Sequence, residues 1–298
     1  MITHLRLKAY GKINLALDVL GRRDNGYHDV RMIMQTVGLH DRIELYRTKE
    51  PGIRLETNLF YLPNNEQNLA YRAAALLMEE FGVKEGVSIK LKKFIPVSAG
   101  MAGGSTDAAA VLVGVNRMFD LGFTKKELME RGVKLGADVP YCIMRGTALS
   151  EGIGEILTEL PAPPQCHLVI AKPQISVSTK AVYGKLRVNE LAPEEHPDID
   201  GMMAAIKNGD LDGVIERLGN VLETVTVPDH PEIARIKEMM MENGACGSLM
   251  SGSGPTVFGI YKDKELAEKA CQALREADGG RLTRQVYLTE FYNRKKAR

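Results

Sequence analysis

Residues 95–119 read Ile-Pro-Val-Ser-Ala-Gly-Met-Ala-Gly-Gly-Ser-Thr-Asp-Ala-Ala-Ala-Val-Leu-Val-Gly-Val-Asn-Arg-Met-Phe. Two different objects are joined there. Ser98 to Gly104 is a run of small residues in which Gly100, Gly103 and Gly104 are free to take positive φ. From Ser105 onward, Ala108, Val111, Leu112, Val115 and Phe119 recur at the spacing of a helix with one buried face. Ser105 or Thr106 is suited to cap it, with Asp107 in the first turn. A loop without bulky side chains that feeds a helix N-terminus leaves backbone N–H groups unpaired at the positive end of the helix dipole. That is an anion site, most naturally for phosphate. The plainer alternative is a glycine-rich turn before a core helix. Neither common nucleotide fingerprint is present: no lysine precedes Ser105, and Gly100-Met101-Ala102-Gly103-Gly104 does not supply Gly-x-Gly-x-x-Gly. Phosphate charge must be met by the helix end, a metal ion or lysines from elsewhere.

At 298 residues the chain has room for two domains and a large core. Its formal net charge of +1 argues against a general nucleic-acid or membrane-surface binder. Only Arg294-Lys295-Lys296-Ala297-Arg298 is a basic cluster, read as a solvated terminus. Cys142, Cys166, Cys246 and Cys271 show no Cys-x-x-Cys spacing and are expected to be reduced thiols. No His-x-x-x-His pair suggests an all-protein metal cage. Without a signal peptide or long apolar run, the expectation is a soluble, cytoplasmic protein.

From Leu5 to Val19 apolar and polar residues alternate, predicting a strand with one buried face. Lys12 and Asn14 then share the other face, about 7 Å apart. On such a face they are ordinarily solvated; in a kinase-like site the lysine would instead be a partner of a phosphate or of a base. Asp24-Asn25-Gly26 signals a tight turn, followed at once by Tyr27 and His28. Strands are expected at Ile43–Leu45, Ile53–Leu59 and Val87–Leu91, and a helix at Asn68–Phe81. Asp138, in Gly136-Ala137-Asp138-Val139-Pro140, is either a helix cap or an isolated functional carboxylate. Pro161-Ala162-Pro163-Pro164 is the expected domain boundary. Beyond it come strand His167–Ala171 and helices at Ser178–Leu186, Asp198–Lys207, Leu211–Leu222, Pro231–Asn243 and Lys264–Ala277. A second glycine-rich segment, Met250-Ser251-Gly252-Ser253-Gly254-Pro255-Thr256, runs into strand Val257–Tyr261, and Arg284–Tyr292 closes the chain as a strand. Strands and helices mixed in this way make an α+β protein. Two glycine–serine loops in different halves suggest a small-molecule ligand clamped at a domain interface.

Taken together, Lys12-Ile13-Asn14-Leu15, Gly26-Tyr27-His28, Ile95 through Ala109, Gly136 through Pro140 and Met250 through Phe258 resemble the GHMP kinases, over essentially the whole chain and in the family's order. The resemblance implies a two-domain α+β fold. An N-terminal ATP-binding domain like the second domain of ribosomal protein S5 would span residues 1–160, and a smaller α+β C-terminal domain residues 165–298. It implies ATP and Mg²⁺ as cofactors, the Mg²⁺ arriving with ATP and not in a dedicated protein cage. ATP would lie on Pro96, Val97, Ser98, Ala99, Gly100, Met101, Ala102, Gly103, Gly104, Ser105 and Thr106, with Asn68 and Lys93 near its nucleoside. Asp138 would be the general base, with Lys12 beside it orienting the acceptor and stabilising charge on its oxygen.

Within the superfamily the likeness is greatest to the branch that phosphorylates the tertiary 2-hydroxyl of a cytidine-diphosphate-linked methylerythritol in non-mevalonate isoprenoid synthesis. His28 would read the cytosine edge, Tyr27 and Tyr183 would stack on the base, and Asn14 would hold the substrate near Lys12. Ser251, Gly252, Ser253 and Gly254 would support the phosphate loop and the substrate. Thr106 stands where serine is more usual, Gly11 where alanine is common, and Tyr183 where some members have phenylalanine. Asp107 is read as a cap in preference to a Mg²⁺ ligand. Other GHMP kinases and a non-catalytic ligand sensor on this fold are the rival readings. The expected partners are the small-molecule cytidyl substrate, no nucleic acid and no membrane, in a monomer or homodimer.

Overall fold

A computed structural model describes residues 2–293; the basic run 294–298 lies outside them. The elements in chain order are β1 (His4–Arg22), β2 (His28–Thr48), β3 (Gly52–Thr57), α1 (Leu69–Glu80), β4 (Gly86–Lys92), α2 (Gly103–Phe119), α3 (Lys125–Gly132), α4 (Val139–Met144), β5 (Thr147–Glu151) and β6 (Ile156–Leu160). They continue as β7 (His167–Pro173), α5 (Thr179–Lys185), α6 (Ile199–Asn208), α7 (Leu211–Glu216), β8 (Gly219–Asn220), α8 (Glu223–Asp229), α9 (Pro231–Glu242), β9 (Gly247–Met250), β10 (Val257–Tyr261), α10 (Lys264–Glu276) and β11 (Thr283–Glu290). The chain forms two compact units that interleave in sequence. The first takes the chain up to Gly11, Leu39–Val97 and Ala102–Met144; the second takes Lys12–Gly38, Ser98–Met101 and everything from Arg145. The prolines at 161–164 lie in irregular backbone inside the second unit.

In the first unit the strands run in the order β3-β4-β2-β1. β3 is parallel to β4, with Leu55 opposite Ile89, and β4 is antiparallel to the end of β2, with Ile43 opposite Leu91. All four of these residues are buried, as alternation on a one-sided sheet requires. Helix α2 packs closely on this sheet because position 114 is glycine: a Cβ there would come 2.4 Å from Leu45 Cδ1 and 2.6 Å from Leu7 Cδ1. Asn68 caps α1 by accepting from the Ala70 N–H, and Thr124 with Glu127 forms a capping box on α3.

The second unit holds a four-stranded antiparallel sheet, β11-β7-β10-β9. Helix α10 lays Ala267, Ala270, Cys271 and Leu274, one buried stripe at helical spacing, toward it. Its other strands pair the start of β2 with β5, β5 with β6, and Ala16-Leu17 of β1 with Gly219-Asn220 of β8.

The structure departs from the sequence-based expectations in three places. In β1 the alternation breaks down: every residue from Gly11 to Val19 is buried, so Lys12 and Asn14 do not lie on a solvated face. This stretch is covered on both sides, and a period-2 pattern cannot report that. The helix expected at Leu211–Leu222 stops at Glu216 and is followed by β8, with α8 beyond it. Lastly, neither Ser105, Thr106 nor Asp107 caps α2; the cap position is Ala102, and it makes no side-chain cap bond. Among the described residues no helix is long and apolar enough to cross a membrane.

Candidate functional site

The loop between β4 and α2 alternates its backbone hand. Ser98, Gly100 and Ala102 have φ of 50°, 70° and 54°. Of the three glycines expected to use that freedom only Gly100 does; Gly103 and Gly104 open the helix. Two non-glycine residues in the left-handed region cost about 1–2 kcal/mol each, a strain typical of ligand loops. With no side chain capping α2, its first-turn N–H groups stay available for an anion. Thr106 turns its hydroxyl inward, donating to the Tyr10 carbonyl at 2.7 Å, whereas Ser105 remains half-exposed.

Within the second unit, three sequence-predicted segments meet. The Lys12 N–H donates to the Met101 carbonyl at 3.2 Å, fastening β1 to the loop. Lys12 Nζ donates to Asn14 Oδ1 at 2.7 Å, with Lys12 5% and Asn14 0% exposed. Asn14 Nδ2 in turn points to Met32 Sδ at 3.1 Å. Ser251 Oγ donates to the Gly100 carbonyl at 3.0 Å, and a Cβ on Gly252 would come 3.2 Å from that oxygen and 3.5 Å from Asn14 Oδ1. A buried ammonium, an amide and two glycine loops therefore converge on one spot. Asn220 holds the second loop from below, its Nδ2 donating to the carbonyls of Met250 and Gly252 at 2.9 and 2.8 Å. Ser253 Oγ shares a 2.7 Å hydrogen bond with Thr179 Oγ1, and the Gly254–Pro255 peptide is cis.

A cavity of about 230 Å³, also in the second unit, is lined by His28, Tyr183, Arg22 and Arg187. The rings of His28 and Tyr183 lie 5.1 Å apart at 47°. Burial, helped by Arg22, pushes the His28 imidazole below its ordinary value and so keeps it neutral. Tyr27 is exposed just after the turn at Gly26, whose φ is 86°.

In the first unit, Asn68 is engaged at both ends of its amide, with the Ala70 N–H and the Pro63 carbonyl. Asp138 immediately precedes α4, and its carbonyl accepts the Cys142 N–H at 3.0 Å. Pro96 and Val97 lead from β4 into the loop. Lys93 is only 7% exposed, and its ammonium is held by two carboxylates, those of Asp41 and, at 2.6 Å, Asp107. Asp107 Oδ1 is buried without a hydrogen-bond partner. Burial drives the Asp107 carboxyl well above its ordinary value despite the Lys93 ammonium. Among the described residues no cluster of three or more His, Cys, Asp or Glu side chains could cage a metal.

Two contributors escaped the sequence reading. Asp41 occupies an apolar register of β2, between Leu39 and Ile43, and a lone acid on a buried face was a usable signal. Asn220 carried none, because its role comes from the short β8 pairing.

Comparison with known proteins places these residues in a family. The GHMP kinases N terminal domain matches residues 68–146, and the GHMP kinases C terminal domain matches 202–279. A 4-diphosphocytidyl-2-C-methyl-D-erythritol kinase of Lachnospira eligens is 56% identical, over 97% of this chain and 98% of its own. A protein of that name from Lachnoclostridium phytofermentans is 53% identical over 98% of both. A crystal structure of a 4-(cytidine 5'-diphospho)-2C-methyl-D-erythritol kinase superposes with a TM-score of 0.82 at 31% identity, covering 97% of this chain and all of that one. Homoserine kinase from Cytophaga hutchinsonii, at 19% identity and a TM-score of 0.76 over 98% and 96% of the two chains, shares the fold.

Proposed function

We propose a function from one premise: the chain belongs to the 4-diphosphocytidyl-2-C-methyl-D-erythritol kinase family of the GHMP kinases. It is an ATP-dependent small-molecule kinase with the α+β GHMP fold. The proposed reaction transfers the γ-phosphoryl group of ATP to the 2-hydroxyl of 4-diphosphocytidyl-2-C-methyl-D-erythritol, giving the 2-phosphate and ADP. The observation that carries it is the convergence of Lys12, Asn14, Gly100 and Ser251–Gly252, which joins a buried cation to two glycine loops. The two matched domains leave residues 147–201 between them, and the boundary proposed at Pro161–Pro164 falls in that gap, inside the second compact unit.

In this reading Asp138 removes the proton of the 2-hydroxyl as its oxygen attacks the γ-phosphorus. The bond to the β–γ bridging oxygen breaks, and ADP leaves with that electron pair. Lys12 orients the acceptor and stabilises charge on its oxygen, and Asn14 holds both the Lys12 ammonium and the substrate. The loop from Pro96 to Thr106 receives the phosphates on its backbone N–H groups, and Asn68 shapes the nucleoside side as the cap of α1. Mg²⁺, when bound, would neutralise charge on the phosphate oxygens that carry it. Thr106 gives its hydroxyl to the Tyr10 carbonyl and Asp107 is buried against Lys93, so Ser105 is the hydroxyl of the first turn that suits such an ion. His28, kept neutral by burial, can accept a hydrogen bond from the cytosine amine, with Tyr183 and Tyr27 on the faces of the base. ADP release with the cytidyl substrate, mevalonate and homoserine as parallel acceptors tests the reading. Turnover restricted to mevalonate or homoserine would refute the cytidine pocket.

A further inference from the structure

The side chain of Lys93 is sealed away from solvent. Its ammonium sits between Asp41 and Asp107, and its own backbone N–H and carbonyl are both taken by Asn58. Asp41 does more than pair with it: Oδ1 accepts the N–H groups of Phe94 and Ile95 at 2.5 and 2.8 Å. The carboxylate therefore fixes the backbone where β4 turns into the phosphate loop. On the other side Lys93 Nζ lies directly under the first turn of α2, where a Cβ on Gly103 would stand 3.2 Å from it. Asp107 ties the same ammonium to the second turn of that helix. One buried cation thus links the start of the loop to the start of the helix, the two ends of the segment that receives phosphate.

We propose that Lys93 is a positioning residue for the phosphates of the nucleotide, acting through the first turn of α2 and touching no part of ATP. Asp41 and Asp107 are the fixed points it bridges. This rests on the kinase reading, and it reassigns Lys93 from the nucleoside contact that the family resemblance implied. A contact residue at the nucleoside would serve adenosine and ADP alike. A residue that shapes the phosphate cradle serves ADP alone.

The test measures inhibition by ADP and by adenosine, in the full chain and in Lys93→Met. The expected result is ADP weakened by tenfold or more, adenosine changed less than twofold, and an unchanged KM for the cytidyl substrate. Equal weakening of ADP and adenosine, or no change in either, would overturn the proposal. Should Lys93→Met fail to fold, Lys93→Gln decides instead: it keeps a hydrogen-bond donor between Asp41 and Asp107 without the charge and is expected to give the same selective loss of ADP, whereas an unselective or absent loss would overturn the proposal. Failure of the unsubstituted chain to bind ADP at all would strike the kinase reading itself, a different outcome from either of these.

Discussion

Ser251 and Gly100 meet backbone to side chain: the serine hydroxyl donates to the glycine carbonyl at 3.0 Å, and a Cβ on Gly100 would fall 2.0 Å from the serine carbonyl oxygen. Gly100 is also left-handed, at φ 70°. Two independent reasons therefore demand glycine there. Gly100→Ala is expected to raise the KM for ATP at least about tenfold, since backbone cannot yield to backbone and the left-handed residue adds about 1–2 kcal/mol. Steady-state kinetics at varied ATP checks this; an unchanged KM would mean that the two loops need not touch.

Asn220 should matter to the same loop from a distance. Its amide serves two carbonyls, and Asn220→Leu would leave both buried and unpaired, at a cost of about 1–3 kcal/mol each. A lowered melting temperature together with weakened substrate binding is expected. A variant as stable and as active as the parent would show that the loop holds its own shape.

Asp138→Asn should keep the fold and ATP binding while lowering kcat by about 10²–10⁴, the usual worth of a general base. Binding of ATP measured by calorimetry alongside turnover separates the two effects. Full turnover would remove Asp138 from the mechanism.

Substrate binding is expected to depend on pH through His28, the proposed reader of the base. Its folded value lies below its ordinary one, so the neutral imidazole prevails at neutral pH, and protonation sets in only on acidification below the usual histidine range. Protonation removes the acceptor nitrogen, so the KM for the cytidyl substrate is expected to rise on acidification below the usual histidine range. His28→Gln keeps an acceptor and should flatten that rise. A rise of equal size in the variant would assign it to another group.

Asp107 has the opposite sign for stability. Its folded value is raised by burial, so between its ordinary and its folded value the native state holds a proton that the unfolded chain has lost. The stability it lends below the ordinary carboxylate value is lost progressively as pH rises toward and through the folded value. Asp107→Asn, which cannot titrate, should therefore flatten the decline in stability as pH rises above the ordinary carboxylate value, in melting curves recorded across that rise. A uniform loss of about 3 kcal/mol or more would instead indicate a broken buried ion pair.

Much of this was legible in the sequence because it was local. The small-residue run at 98–104, the turn at Asp24–Gly26 and the stripe of α10 each declare themselves within a few residues. What stayed hidden depended on partners far along the chain. Lys12 and Asn14 alternate correctly for a strand, yet whether the far face meets water depends on what covers it, and there it is covered. Lys93 looks like any strand-end lysine until Asp41 and Asp107 are brought around it. Asp107 looks like a helix cap because first-turn acids usually are; the cap of α2 lies at Ala102, three residues before Ser105, which carries Asp107 into the second turn and inward.

The most direct measurement is ADP release by the purified chain with ATP and Mg²⁺ and each of three acceptors: 4-diphosphocytidyl-2-C-methyl-D-erythritol, mevalonate and homoserine. Turnover confined to the cytidyl acceptor, and lost in Lys12→Met, is the expected result. Turnover with mevalonate or homoserine instead, or no ADP from a folded chain that still binds ATP, would contradict it.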